Sequence, residues 1–337
     1  MTKSFPDDAH LRVARVYDIA NAGPRRRFIA NGKVVSNCNW QNLPSQGAGA
    51  VIRHAMMAPP GTKFAPADAS QVEARMVAWL AEHIPKLEAF RRYDRGVGPD
   101  IYCVSASDVF MREILKDRDK FERFIGKVLE LSCQYGAGAK KIQNTLAQGF
   151  RGAPPVFMPL HEVQQHVKAW RYRANKPIID YWTAIESAMM SAWIRGQGVQ
   201  ELGPLAFELH NGNGYMHLPN GTYQVYLNPR WVPDESKLYF SSRNGPTSIW
   251  GGHATENAAQ ALCCALLKHH MIEMQDEMPD LRIALTVHDE VVPIIEEEKA
   301  EEYTAKIKRI MSKPANWCQG LPLNAAVVVS DRYEKPE

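Results

Sequence analysis

Two apolar runs near the end of the chain, Leu281 to Val287 and Val291 to Ile295, flank three ionisable residues, His288, Asp289 and Glu290. This pattern predicts two paired strands joined by a tight turn. Such turns favour Asn, Gly or Asp-Gly, because their backbone needs positive φ angles. A turn without these residues, with two carboxylates beside buried strands, indicates a functional site. The alternative for this motif taken alone is a solvated hairpin tip.

Hydrophobic patterning elsewhere predicts blocks of strands around a helical middle. Short β-like runs occupy residues 11–37 and include a hairpin from Phe28 to Val35 with Asn31-Gly32 at its tip. A strand from Phe64 leads to Asp68, and residues 203–250 are rich in strand formers. The other predicted elements are helices at 100–115, 119–135, 162–195 (interrupted at Pro177), 254–275 and 296–311, and a strand at 325–329. This arrangement predicts an α+β fold.

Composition narrows the class of protein. The 337 residues are 45% hydrophobic and 23% charged with a net charge of +3, which is ordinary for a globular protein with more than one structural unit. No apolar run approaches the ~20 residues that span a bilayer, and the N-terminus lacks the apolar core of a signal peptide. The six cysteines include no CxxC pair, which indicates reduced thiols. We therefore expect a cytoplasmic protein without membrane association.

Asp68 stands between a predicted strand and a helix with an apolar face. Ser70-x-x-Glu73 has the form of a capping box, so helix capping is the alternative explanation for these two residues. Capping leaves Asp68 unexplained. An Asp at a strand end that faces Asp289 would suit two-metal phosphoryl chemistry, in which two Mg²⁺ ions lie about 3.5–4 Å apart.

Basic and aromatic residues recur along one face of the predicted helix at 119–135. Arg123, Lys127, Leu131 and Tyr135 are spaced by four positions and therefore lie on one stripe. An Arg and a Lys one turn apart can clamp a triphosphate, the first as a fork and the second as a point charge. The alternative is a solvated basic face with Leu131 and Tyr135 in the core.

A later helix carries Glu256-Asn257-x-x-Gln260. The amide of Gln260 could reach a base edge in the minor groove of DNA. The alternative is a polar helix face without a ligand.

Taken in order, these motifs resemble the motifs of family A DNA polymerases, and the resemblance extends from about Asn39 to the C-terminus. The matching segments are Asp68-x-Ser70-Gln71-x-Glu73-x-Arg75 (motif A), Arg123, Lys127 and Tyr135-Gly136 (motif B), Val287-His288-Asp289-Glu290 (motif C), Gln41-Asn42-Leu43-Pro44 (lead-in), and Glu256-Asn257-x-x-Gln260-Ala261 with Trp317 to Pro322 (phage-type branch). Each motif alone is weak, whereas their order and spacing together are specific.

The resemblance implies a DNA-directed DNA polymerase with a palm, inserted helical fingers and two Mg²⁺ ions. Asp68 and Asp289 would hold the ions, with Glu290 in support, and Lys127 would also donate a proton to pyrophosphate. Glu73 would exclude a ribose 2′-hydroxyl. The residues implied to bind the dNTP are Gln71, Glu73, Tyr102, Arg123, Lys127, Leu131 and Tyr135, and those implied to contact template–primer DNA are Arg75, Asn257, Gln260 and His288.

Two positions depart from the family pattern. Leu131 stands where Phe or Tyr is usual, so the aromatic that packs on the incoming nucleotide is missing. Tyr102 stands where His often contacts the triphosphate, so a hydroxyl would replace an imidazole. A single-subunit RNA polymerase is the nearest rival, and both Glu73 and Glu290 argue against it.

The first 37 residues resemble the C-terminal fragment of a split intein. Ser36, Asn37 and Cys38 would carry the splicing chemistry: Asn37 would cyclise, and the Cys38 thiol would accept an upstream polypeptide. The alternative is an unusual palm extension.

We expect the domains to be 1–37 intein fragment, 38–80 palm, 81–210 fingers and 211–337 palm. The expected partner is an N-terminal polymerase half carrying an N-intein, and the chain is expected to have weak or no polymerase activity until joined to it.

Overall fold

The computed structural model describes residues 27–30, 33–36, 51, 53–149 and 153–336. The strands are β1 Arg27–Ala30, β2 Lys33–Ser36, β3 Thr62–Phe64, β4 Ala67–Ala69, β5 Gln200–Leu202, β6 Leu205–His210, β7 Asn213–His217, β8 Tyr223–Val232, β9 Lys237–Ser242, β10 Gly245–Ile249, β11 Arg282–Val287, β12 Glu290–Glu296 and β13 Ala325–Val327. The helices are α1 Val72–Leu80, α2 Ile84–Asp94, α3 Ile101–Phe110, α4 Lys120–Cys133, α5 Ala139–Gln148, α6 Leu160–Ala169, α7 Lys176–Met189, α8 Gly251–Glu277 and α9 Ala300–Met311.

The chain forms two compact units. The first unit is Met1–Ala67, Lys268–Ile310 and Val327–Glu337, and the second unit is Asp68–Leu267 and Met311–Ala326. The predicted domain boundaries at 80/81 and 210/211 both lie inside the second unit. Helices and strands in blocks confirm the predicted mixed α and β class. None of the helices in the described ranges has both the length and the apolar character needed to cross a membrane.

Helices α3 and α4 pack closely against each other in the second unit. A Cβ at Gly126 of α4 would lie 2.3 Å from the carbonyl oxygen of Tyr102 and 2.9 Å from the Cβ of Ala106, both on α3. Only glycine permits this backbone approach. The predicted interruption at Pro177 is confirmed, since a π-helical turn at Trp170–Ala174 ends before α7 begins with Pro177 in its first turn.

A six-stranded antiparallel sheet follows in the second unit, in the order β10-β9-β8-β7-β6-β5. Phe207 and Tyr226 pack their rings against Trp193 on its inner face. The predicted boundary at 210/211 falls at the turn between β6 and β7, so it divides this continuous sheet.

In the first unit, β12 pairs antiparallel with β11 on one side and with β3 on the other. Phe64, Val292 and Tyr333 form its buried apolar cluster. Strands β1 and β2 pair antiparallel from Arg27↔Ser36 to Ala30↔Lys33, which confirms the predicted N-terminal hairpin. The Asn31-Gly32 tip, the run from Val13 to Ile19, and Asn37 and Cys38 lie outside the described residues.

Candidate active site

Asp68 lies in β4, half-buried, just before the turn into α1. The residue at the start of α1 is Gln71, which has a left-handed backbone (φ 48°) and makes no side-chain capping bond. The capping-box alternative for Ser70 and Glu73 is therefore wrong. A non-glycine residue in this conformation costs about 1–3 kcal/mol, a strain that clusters at functional sites.

The Glu73 side chain on α1 contacts Tyr135, the last residue of the four-residue stripe that begins at Arg123. The Tyr135 hydroxyl donates a hydrogen bond of 3.0 Å to Glu73 Oε2. Burial raises the pKa of Tyr135 well above its usual value, and the negative charge of Glu73 raises it further. Tyr135 thus stays protonated and fixes the orientation of the Glu73 carboxylate.

Arg123 and Lys127 lie one turn apart on α4 and face α3. The Arg123 guanidinium carbon is 5.5 Å and the Lys127 Nζ is 5.7 Å from the ring centroid of Tyr102. Two cations over one phenol ring make a compact, positively charged surface suited to phosphate oxygens.

Asp100 holds Arg123 in place. Its carboxylate caps α3 by accepting from the backbone N–H groups of Tyr102 and Cys103, and its Oδ2 accepts from Arg123 Nε at 2.8 Å. Burial by itself would lower the pKa of the Arg123 guanidinium, but the hydrogen bond and charge of Asp100 raise that pKa on balance. Arg123 is therefore a permanently charged group with a fixed direction.

Leu131 and Tyr135 complete the stripe, both half-buried. Gly136 follows with a φ of 84°, and a Cβ there would lie 2.3 Å from the Trp250 ring. Both the positive φ and this contact require glycine after Tyr135.

Asn257 and Gln260 lie on α8. The Asn257 amide donates to the Tyr226 hydroxyl at 3.0 Å, so it is tied to the six-stranded sheet. Burial raises the pKa of Tyr226 to about 12, although the bond from Asn257 lowers it. Gln260 is exposed.

Motif C in the first unit is a two-residue turn, because Val287 pairs directly with Glu290 across it. His288 has a φ of 55° and is exposed, whereas Asp289 is half-buried. Glu290 is the first residue of β12 and only 1% exposed, with Oε2 3.9 Å from Arg53 Nη1. The predicted three-residue turn was therefore one residue too long, and Glu290 faces the interior.

Comparisons with known proteins agree with the fold and the motifs. A sequence model of DNA polymerase family A matches residues 26–177. The DNA polymerase of Bacillus phage SP02 is 30% identical over 298 residues, which cover 85% of this chain and 43% of that protein. Residues 26–177 thus resemble a family A DNA polymerase domain, and the chain is similar to part of a phage DNA polymerase.

Two further matches are more distant. DNA polymerase I of Helicobacter pylori is 25% identical over 91% of this chain and 29% of its own length. A solved structure, the POL domain of Pol1 from M. smegmatis in complex with DNA primer-template and dNTP, has the same fold with a TM-score of 0.60 and 21% identity, over 87% of this chain and 44% of that one. The chain thus spans less than half the length of these relatives.

One predicted DNA contact, that of Arg75, is wrong. Arg75 is fully buried, with both terminal nitrogens hydrogen-bonded to Asp94 and its Nε to the Ser70 carbonyl. Its guanidinium also stacks on Phe90 at 4.4 Å. Arg75 therefore anchors the turn after Asp68 to α2 and cannot reach DNA without unfolding this cluster.

Each of the two units contains a carboxylate suited to Mg²⁺. Asp68 in the second unit and Asp289 in the first are half-buried carboxylates. Asp289 directly follows His288, which has a positive φ, and Asp68 lies three residues before Gln71, which also has a positive φ. Mg²⁺ prefers a few carboxylates completed by water and phosphate oxygens rather than a closed protein cage. In the ranges that the structure describes, no three or more His, Cys, Asp or Glu side chains form a group that could hold a metal ion.

Sequence reasoning missed Asp100, Arg53 and Tyr333. Asp100 could have been found, because an Asp before a predicted helix is an N-cap signal and it precedes Tyr102 by two residues. Arg53 and Tyr333 are 280 positions apart in the chain, and no local pattern connects them.

Proposed function

We propose that this chain supplies the nucleotidyl-transfer centre of a DNA-directed DNA polymerase. The observation that carries the proposal is the arrangement on α4: Arg123 and Lys127 over Tyr102 at one end, and Tyr135 hydrogen-bonded to Glu73 at the other. A triphosphate and a deoxyribose have the polarity and length to lie along this stripe.

Each residue has a role that follows from its chemistry. Arg123, held by Asp100, would bind phosphate oxygens through the guanidinium edge that Asp100 leaves open. Lys127 would bind the same triphosphate and give a proton to the departing pyrophosphate. Asp68 and Asp289 would hold two Mg²⁺ ions, which supply Lewis-acid stabilisation of the attacking and leaving oxygens.

Glu73 is proposed to select deoxyribose. A carboxylate fixed by Tyr135 fills the space that a ribose 2′-hydroxyl would need, and an additional hydroxyl cannot displace it cheaply. This same observation favours a DNA polymerase over the rival single-subunit RNA polymerase.

Primer extension tests the proposal. A fluorescent primer–template, Mg²⁺ and one correct dNTP are supplied to this chain, alone and joined to its N-terminal half. We expect Asp68→Asn and Asp289→Asn each to lower the rate about a thousand-fold, because several kcal/mol of charge stabilisation are lost. The exposed Asp234→Asn is the control and should extend like the wild type.

Substitution of Glu73 supplies the second arm. Glu73→Ala should raise incorporation of the matching rNTP relative to the dNTP by at least about ten-fold, since a steric exclusion is removed. Equal rNTP and dNTP use by the wild type would contradict the DNA-polymerase assignment and favour the RNA polymerase.

We further propose that residues 1–37 are the C-terminal fragment of a split intein that joins Cys38 to an N-terminal polymerase half. Support comes from the Asn37-Cys38 pair and from the β1–β2 hairpin that directly precedes it. The family match begins at residue 26, inside this fragment, which favours the alternative of a palm extension.

Mixing the chain with its cognate N-terminal half distinguishes the two. Trans-splicing predicts a ligated product of defined mass that Cys38→Ala abolishes. A failure to ligate, or ligation that survives Cys38→Ala, would support the palm extension. Processive extension by the chain without any partner would contradict the expected dependence on joining.

A further inference from the structure

A buried polar network lies behind the motif C turn in the first unit. Arg53 Nη1 donates a 2.9 Å hydrogen bond to the Tyr333 hydroxyl and lies 3.9 Å from Glu290 Oε2. The three residues are 6%, 1% and 1% exposed, respectively. The Arg53 guanidinium carbon is also 5.1 Å from the centroid of the Tyr333 ring.

Backbone pairing holds both ends of this network. The Tyr333 N–H donates to the Met56 carbonyl at 3.1 Å, and the Ala58 N–H donates to the Asp331 carbonyl at 2.9 Å. The segment at 330–333 is therefore hydrogen-bonded to residues 56–58, which follow Arg53 closely in the chain.

Apolar packing brings the same network against β12. The Phe64 and Tyr333 rings are 6.4 Å apart and share one buried cluster with Val292. Val292 is two residues beyond Glu290 and lies on the same strand face. Tyr333 therefore packs against β12, the strand that begins at Glu290.

The network depends on all three side chains, because its two charged groups are buried. A buried carboxylate and guanidinium lose hydration, which only good partners offset. The Tyr333 hydroxyl is an acceptor for Arg53 and so fixes where the positive charge sits. Removing the Tyr333 hydroxyl therefore changes the position of the Arg53 guanidinium relative to the Glu290 carboxylate. Glu290 is the residue that follows Asp289 in the chain.

We propose that Arg53, Glu290 and Tyr333 are positioning residues that set the direction of the Asp289 carboxylate toward metal. The inference rests on the proposed function, because it gives Asp289 the metal-binding role assigned there. It assigns Glu290 a supporting role through Arg53 rather than direct contact with metal or nucleotide, and it makes the C-terminal Tyr333 part of the active centre.

Tyr333→Phe in the full chain is the main test, since it removes one oxygen and keeps the ring in the cluster. The matched control is Asp331→Asn, which removes the exposed 2.7 Å pair with Lys63 in the same segment. Binding of Mn²⁺ in place of Mg²⁺ is measured by electron paramagnetic resonance with primer–template bound, and urea unfolding is measured in parallel.

Partners in the outer shell of a metal site change metal affinity or activity by about 10–100-fold when removed. We therefore expect Tyr333→Phe to weaken Mn²⁺ binding about ten-fold, and to lower kcat without raising the KM for dNTP wherever turnover is measurable. Asp331→Asn should match the wild type in both. Glu290→Gln, which keeps the side-chain size, should act in the same direction as Tyr333→Phe.

Wild-type Mn²⁺ affinity in Tyr333→Phe, under conditions where its unfolding curve shows it folded, overturns the inference. An equal weakening in Asp331→Asn also overturns it, because the effect would then belong to the segment and not to the network. Absence of Mn²⁺ binding in the wild type itself is a different result, and it would count against the proposed function.

Discussion

At the residue scale, His288 has a strained backbone conformation in the motif C turn. Its φ of 55° belongs to the first position of a tight turn where glycine is preferred. A non-glycine residue there costs about 1–2 kcal/mol. The poor turn chemistry read from the sequence therefore corresponds to actual strain next to Asp289.

His288→Gly should consequently separate stability from function. We expect the free energy of unfolding to rise by about 1 kcal/mol. The affinity for primer–template should fall, because the proposed DNA contact of the exposed His288 would be lost. Urea unfolding and fluorescence anisotropy with labelled primer–template measure the two quantities. If His288→Gly neither stabilises the protein nor weakens DNA binding, His288 is an ordinary turn residue.

Tyr135 leads to a prediction about alkaline pH. Its pKa in the folded chain is raised above the ~10 of an unfolded tyrosine. A raised folded-state pKa contributes stability that is present below pH 10 and is lost as pH rises further, since only the unfolded chain then releases the proton.

Wild type should therefore lose unfolding free energy above about pH 10 more steeply than Tyr135→Phe, which cannot titrate. Urea unfolding at pH 8, 10 and 11 provides the comparison. Tyr223→Phe, at an exposed tyrosine of the six-stranded sheet, is the control and should follow the wild-type slope. Identical slopes for Tyr135→Phe and wild type would mean that the Tyr135 hydroxyl is not held in the folded state.

At the element scale, the position of α4 depends on its contact with α3. Gly126 brings the two backbones together, and this contact determines how far Arg123 and Lys127 stand from Tyr102. The stripe on α4 is encoded by four-residue spacing, but its distance from α3 is encoded by a glycine that carries no side chain at all.

Gly126→Ala is expected to force α3 and α4 apart, because the new Cβ would lie 2.3 Å from a carbonyl oxygen. We expect a loss of about 2 kcal/mol in unfolding free energy and a several-fold higher KM for dNTP. Gly138→Ala is the matched control, since a Cβ there meets nothing within 4 Å. A Gly126→Ala enzyme with normal KM would show that the α3–α4 distance does not tune the triphosphate site.

Helices and strands with strong periodicity were predictable from the sequence. The hydrogen bonds made by side chains near their ends were less predictable. The long helix α8, the break near Pro177 and the motif C hairpin follow from spacing and from proline. The capping box at Ser70 and the DNA contact of Arg75 failed. In both cases tertiary partners, Tyr135 and Asp94, outweighed the local signal.

At the scale of the whole molecule, the proposed Mg²⁺ ligands Asp68 and Asp289 are half-buried and lie outside the buried apolar core. The buried apolar residues of each unit do not depend on metal. Chelation of Mg²⁺ with EDTA should therefore abolish nucleotidyl transfer and change the free energy of unfolding by less than about 1 kcal/mol. Primer extension and urea unfolding, each with and without EDTA, test this, and a large loss of stability would make the metal structural.

The sequence alone determined the mixed α and β class, the similarity to family A DNA polymerases, the stripe on α4 and the hairpin that contains His288 and Asp289. These depend on periodicity, motif order and turn chemistry, which are local properties of the chain. Only the tertiary structure decided that Glu290 is buried with Arg53 and that Tyr333 is hydrogen-bonded to Arg53. It also decided that Arg75 is bound to Asp94 of α2 and that Asp100 orients Arg123. Such roles depend on which partner desolvates and neutralises a charge, and that partner can lie anywhere along the sequence.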